Sequence, residues 1–324
     1  MACRLIGGIM ATRDKISRVL VTGGAGFMGR WVAKTLLDQG HQVWLLDDLS
    51  NGSEANIAEF RNKLAGFVAG DIKDRSLLAR LFENKFDVCL HLAAAINVQD
   101  SIDNPDKCFN NNVVGTFNVL EACRQYKTKL VFMSSALIYQ SAQPGRAIAE
   151  EHPLNPSCSY AASKIFGENM ALSYYKTYGL PVVILRPFSI FGPWQRTDSE
   201  GGVVSIFLDK KLKGEPLKVY GDGEQSRDFF YIEDCAEFIV RAAFADQAVG
   251  QIFNAGSGRE VKIKDLAQLI AAGQAEISFI DHHHPHAEIM SMRADSEKAG
   301  RLLNWVPQRT LEAGLQRTAE WIKS

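Results

Sequence analysis

Long apolar runs are missing from this 324-residue chain: none approaches the roughly 20 residues needed to cross a bilayer, and no membrane partner is expected. An excess of one charge is missing too. Lys plus Arg total 36 against 37 for Asp plus Glu, a net charge of -1, so no basic field gathers a phosphate backbone and nucleic acid is not an expected partner. Cysteine is sparse. The six residues (Cys3, Cys89, Cys108, Cys123, Cys158 and Cys235) form no C-x-x-C pair, which leaves neither a disulfide framework nor a zinc site and points to reduced packing residues in the cytoplasm. The apolar stretch Leu5 to Ala11 is short and Arg13 follows, so a secretory signal is not expected. With Met10 able to serve as a start, the first 16 residues read as a disordered extension or a misassigned beginning. Internal repeats and low-complexity linkers are also lacking.

What is present is a globular composition, 46% hydrophobic and 23% charged, with enough apolar material for one large domain or two modest ones. Apolar runs rich in β-branched residues alternate with helical patterns, the signature of βαβ units and a parallel sheet. Strands are expected at Arg18 to Thr22, Gln42 to Asp47, around Gly66 to Ala69, at Val88 to Ala93, Lys129 to Ser134 and Pro181 to Arg186. Each is apolar almost throughout, as when helices cover both faces. One helix is expected from Asn104, with Pro105 in its first turn, to about Tyr126. Another runs from near Ser159 to Gly179, where Leu180-Pro181 stops it. Beyond Arg186 the pattern grows richer in Gly and Pro, which suggests a second, smaller unit.

The sharpest local signal follows the first strand. Val19 to Thr22 leads into Gly23-Gly24-Ala25-Gly26-Phe27-Met28-Gly29 and then a helical run from Arg30 to Gln39. Strand, glycine turn and helix come in the order that presents backbone N–H groups and a helix N-terminus to a pyrophosphate. A side chain at Gly24 or Gly26 is expected to obstruct the phosphates, and Gly29 to let helix and strand pack closely. Asp47 closes the second strand, where a carboxylate can accept from adenosine ribose hydroxyls. No basic residue among Asp48 to Gly52 would relieve a 2′-phosphate, so NAD is favoured over NADP. Asp71-Ile72, after the third strand, could edge the adenine ring.

A second signal is Tyr160-Ala161-Ala162-Ser163-Lys164, a phenol and an ammonium at i and i+4 on one helical face. Such a lysine can lower the phenol pKa, and the positive nicotinamide of bound NAD would add to the effect. That makes a base of a group with a reference pKa near 10.

Taken with Gly70-Asp71-Ile72, His91 to Ala94, Asn111 to Thr116, Ser134-Ser135-Ala136, Leu185 to Phe188, Phe191-Gly192-Pro193 and Gly221 to Phe229, these motifs resemble the NAD-dependent epimerase/dehydratase family of extended short-chain dehydrogenases/reductases. The resemblance runs from Arg18 to the C-terminus. It implies an α/β fold: a doubly wound parallel (Rossmann) sheet of six or seven strands with a smaller C-terminal α/β substrate-binding domain. The NAD-binding domain is expected at 17–186, rejoined by 229–256, and the substrate domain at 187–324, mainly 187–228 and 257–324. Asp228 to Ile232 and Gln251 to Asn254 read as the strand material that returns.

The resemblance also implies roles. Tyr160, Lys164 and Ser135 would be catalytic, with Ser135 orienting the sugar hydroxyl. NAD would be held by Gly23, Gly26, Phe27, Met28, Gly29, Asp47, Asp48, Asn51, Asp71, Ile72, Leu92, Ala93, Ala94, Asn111, Ser134, Tyr160, Lys164 and Pro187. A nucleotide sugar, with UDP favoured, would meet Ser135, Tyr160, Ser189, Tyr220 stacking on the base and Arg227 on the pyrophosphate. Asn110 and Asn112 read as structural. A homodimer through the helices carrying Asn112 and Tyr160 is implied as well.

Dehydratases and decarboxylases of the family carry an acidic residue after the catalytic Ser or Thr, and 3,5-epimerases a Cys where Leu137 stands. This chain has Ala136-Leu137-Ile138-Tyr139. A 4-epimerase needs no second base, so a UDP-hexose 4-epimerase working through a transient 4-keto sugar is the expected activity. A 4,6-dehydratase, a 4-ketoreductase and a non-catalytic NAD sensor stand as alternatives. Three departures touch the substrate: Ser189 stands for an Asn, Gln140 for a Gly, and His282-His283-His284-Pro285-His286 lies where a second phosphate-binding Arg is common. Clustered loop histidines are usually solvated, so no metal is expected; Arg293 could supply the missing charge, and Met292 could limit sugar size.

Overall fold

The computed structural model describes residues 16–198, 202–282, 285 and 288–324. The first 15 residues and His283, His284 and His286 lie outside the described residues, and so do the expectations placed on them.

Six strands alternate with helices through the first part of the chain: β1 (Arg18–Thr22), β2 (Gln42–Asp47), β3 (Gly66–Ala69), β4 (Val88–His91), β5 (Lys129–Met133) and β6 (Val182–Pro187). With β7 (Ser189–Phe191), β8 (Leu217–Tyr220), β9 (Ser226–Tyr231) and β10 (Ile252–Ala255) following, the large sheet is seven-stranded in the order β10-β6-β5-β4-β1-β2-β3. Every pairing in it is parallel. Burial on both faces explains the apolar runs: Val19, Leu20, Val21 and Leu90 have no exposed surface. The fold is the doubly wound Rossmann type. The strand order reverses between β1 and β4, and their carboxyl ends open the crevice where such sheets bind ligands.

Two smaller sheets complete the chain. β9 pairs antiparallel with β11 (Glu260–Lys262) and parallel with β7, while β8 pairs with β12 (Ile277–Ile280). Asp228 to Tyr231 therefore sits in the three-stranded sheet, whereas Ile252–Ala255 joins the large one beside β6. One apolar cluster runs through both parts, from Val19 and Leu36 through Phe238 and Phe253 to Phe207 and Leu315.

The helix Ser159–Tyr178 ends as its sequence suggests, with Gly179 in the left-handed region at φ 66. The span expected from Asn104 to Tyr126 is divided. Pro105–Cys108 and Gly115–Tyr126 are α-helical, and between them Phe109–Val114 is a π-helical turn, a feature common beside functional sites.

Candidate active site

The chain leaves β1 into a turn that only glycine can make. Gly23 has φ 69, and a Cβ there would lie 2.8 Å from the Ala93 nitrogen. At Gly29 a Cβ would come within 2.1 Å of the Gly23 carbonyl oxygen, so the helix Phe27–Asp38 seats directly on the turn. Gly24 serves differently from expectation. Its Cβ would strike the Leu45 side chain at 2.7 Å, so this glycine admits β2 packing rather than phosphate.

Around the turn lies a cavity with about 1180 Å³ of empty space, part of it open to solvent. It brings together Gly23, Gly26, Phe27, Met28, Gly29, Asp47, Asp48, Asn51, Asp71, Ile72, Leu92, Ala93 and Ala94 from the ends of β1 to β4, and Asn111 from the π-helical turn. Ser134, Tyr160, Lys164 and Pro187 are not in its lining. Asp47 accepts from Ala25 N and Leu49 N, both at 2.9 Å, and burial pushes its carboxyl up. Four lone-pair sites on the carboxylate leave room for ribose hydroxyls as well. Asn111 is engaged by Lys73 and Asp48 by Ser50. Asn112 is structural, bonding both ways with Ala95 and donating to Ser163.

The residues present fit a dinucleotide. The turn offers a side-chain-free cradle ahead of a helix N-terminus, and the buried Ser134 hydroxyl has no hydrogen-bond partner among the described residues. Three other lining residues carried no sequence signal: Trp194, Gln195 and Arg196, which with Gly202 arrive from beyond β7, more than 140 positions after the turn. Local spacing cannot reveal a wall supplied from so far along the chain.

Ser135, Tyr160 and Lys164 meet beside the end of β5. Tyr160 shares a hydrogen bond with Ser135, whose Oγ also accepts from Leu137 N at 3.2 Å. Lys164 Nζ donates to the Met133 carbonyl at 2.8 Å and stands 5.6 Å from the Tyr160 ring centre. The expected depression of the phenol does not occur in the protein alone. Burial pushes Tyr160 up to about 12, the Ser135 hydrogen bond opposing it, and Lys164 is itself brought down to about 8 by desolvation. An ammonium turned toward a backbone carbonyl cannot offset the loss of water around the phenol. Below this pair, Glu168 and Arg186 form a buried bidentate ion pair, and Arg186 also donates to Tyr139. His91 links Thr22 and Thr116 and is held neutral, its pKa pushed down to about 3 by burial and then by the Lys164 charge.

The residues expected to meet substrate are placed unevenly. Tyr220 is 42% exposed and its ring lies 5.7 Å from that of His282. Arg227 is ion-paired with Glu288 and donates to the Ile289 and Ser226 carbonyls. The other oxygen of Glu288 is 2.8 Å from His282 Nε2. Ser189 opens β7, Met292 is buried, and Arg293 donates to the Gly145 carbonyl. Asp228, next to Arg227, accepts from Ser257, Gly258 and Ala294 and so fixes the end of β9.

A family model, the NAD dependent epimerase/dehydratase family, matches residues 19–256. The chain belongs to that family. It is 37% identical to a UDP-glucose 4-epimerase of Mycolicibacterium smegmatis, over 95% of this chain and 99% of the relative. A UDP-N-acetyl-alpha-D-glucosaminuronate decarboxylase of Bacillus cytotoxicus is 32% identical over 94% and 98%. Among solved structures, Pal from Bacillus thuringiensis superposes with a TM-score of 0.93 at 51% identity, covering 94% of this chain and 99% of that one. Family membership makes this an enzyme fold with an NAD site; relatives with epimerase and decarboxylase names at similar identity leave the reaction open.

Proposed function

We propose that the protein is a nucleotide-sugar 4-epimerase acting on a UDP-hexose through a transient 4-keto sugar. The observation that carries this is the meeting of Ser135, Tyr160 and Lys164 with only apolar residues, Ala136 and Leu137, next along the chain. A dehydratase or decarboxylase would need a carboxylate there to eliminate water or steer the loss of CO2.

NAD, when bound, supplies the reversible oxidation at C4 and a positive ring that lowers the neighbouring phenol. Tyr160 takes the proton of the 4-hydroxyl, Ser135 holds the oxygen in line, and Lys164 supports the phenolate charge. The 4-keto sugar turns its other face toward the cofactor pocket, where the hydride taken from C4 would be restored, and Tyr160 gives its proton back to the C4 oxygen. Arg227 would receive the pyrophosphate and Tyr220 the base. A cytoplasmic homodimer belongs to the same reading; the exposed Phe109 and Tyr178 on the two helices concerned support an interface there.

The test is a panel of UDP-, GDP-, CDP- and dTDP-sugars incubated with purified protein and no added cofactor. A UDP-hexose converted to its C4 isomer without net NADH is the expected result. A 6-deoxy-4-keto product, release of CO2, or stoichiometric NADH consumption would remove the epimerase assignment.

A further inference from the structure

The cavity around the glycine turn is lined on one side by Trp194, Gln195, Arg196 and Gly202, which belong to the later part of the chain. Three contacts fasten this segment to the rim. Trp31 Nε1 donates to the Pro193 carbonyl at 3.0 Å, the Arg30 guanidinium lies 3.8 Å from the Trp194 ring centre, and Arg196 donates to Asn51 Oδ1 at 2.7 Å. Trp194 holds φ 72, a conformation that non-glycine residues adopt only where the surroundings impose it.

Between these anchors sits Gln195. Its Nε2 donates to the Ile190 carbonyl at 3.0 Å, which fixes the orientation of the amide. Its Oε1 is buried, belongs to a cavity-lining side chain, and has no hydrogen-bond partner among the described residues. Gly202 leaves the space the amide uses, since a Cβ there would come within 2.4 Å of Nε2.

We propose that Gln195 is a cofactor-binding residue: its Oε1 accepts a hydrogen bond from a ribose hydroxyl of the dinucleotide. The chemistry selects the partner. An orphaned acceptor needs a donor, which excludes the pyrophosphate, whose oxygens only accept; among the donors of NAD, the adenine amino group is expected at Asp71-Ile72 and the carboxamide beside Tyr160, whereas Arg196 next to Gln195 bonds Asn51 just past Asp47, on the ribose side of the cavity. The proposal rests on the family's NAD dependence and not on the 4-epimerase reading, so either can fail alone.

The test measures NAD affinity by tryptophan fluorescence on NAD-stripped wild type, Gln195→Ala and Gln195→Met, with NAD and with NAD analogues lacking single ribose hydroxyls. NAD is expected to bind both variants about tenfold more weakly, as for loss of one buried hydrogen bond. One deoxy analogue should bind wild type more weakly by the same factor and show no further loss in Gln195→Met. Melting of the NAD-free proteins separates this from a folding defect: the variants should melt like wild type while NAD raises their melting temperature less. Affinity within twofold of wild type, or an equal loss for every deoxy analogue, would overturn the proposal.

Discussion

The cofactor cavity and the substrate residues are built in different ways. The cavity is a backbone construction: three glycines, a helix N-terminus and the carboxyl ends of adjacent parallel strands. The proposed substrate side depends on long side chains, and one of them already has an anionic partner. Arg227 is held by Glu288, itself shared with His282, while Tyr160 is buried and raised to about 12. A backbone site stands ready because main-chain geometry is fixed by the fold. A side-chain site can bind its own neighbours first, and its ligand must replace them.

Four substitutions would break or sharpen that contrast. The largest effect is expected from Tyr160→Phe, which should lower kcat by about 10³-fold by removing the base. NAD content after purification should be unchanged, as the phenol lies outside the cavity lining. A variant that turned over normally would end the catalytic assignment.

Gly29→Ala should come next. With the new Cβ 2.1 Å from the Gly23 oxygen, helix and strand must separate, at a cost of about 3 kcal/mol in chemical unfolding and with loss of NAD binding. Full NAD binding in this variant would contradict the close seating of the helix.

Lys164→Met should inactivate the enzyme yet stabilise it by about 1–3 kcal/mol at pH 7, because a buried ammonium brought down to about 8 is charged there at a cost. The sign follows from linkage: between about 8 and the unfolded value near 10.4 the unfolded chain binds more protons, so wild-type stability rises with pH. The gap between the two proteins should narrow across that window in urea titrations. A gap independent of pH would mean the lysine is not desolvated.

The smallest effect is expected from Glu288→Gln. Freeing Arg227 of a charged partner should lower the KM for the nucleotide sugar by about fivefold with little change in kcat. A raised KM would show instead that Glu288 holds the substrate.

Much of the cofactor half was legible before any coordinates. Strand, glycine turn and helix are neighbours in sequence, and 13 of the 14 lining residues expected there lie at or just past a strand end, Asn111 in the π-helical turn being the exception. The far wall was not legible, since Gln195 and Arg196 arrive through a segment whose position depends on Trp31, Arg30 and Asn51. Gly24 was misjudged for a related reason: which face of a turn meets another strand is a tertiary matter. The i, i+4 spacing put Lys164 beside Tyr160, yet spacing said nothing of the Met133 carbonyl that takes the ammonium.

By itself the sequence determined that this chain forms a parallel sheet with a pyrophosphate-shaped turn, because apolar periodicity and glycine act through local sterics. Tertiary structure alone decided the ionisation of Tyr160 and Lys164, the engagement of Arg227 by Glu288 and the place of Gln195 in the cavity wall. Burial and pairing between distant residues set those energies, and neither is written in the order of neighbours along the chain.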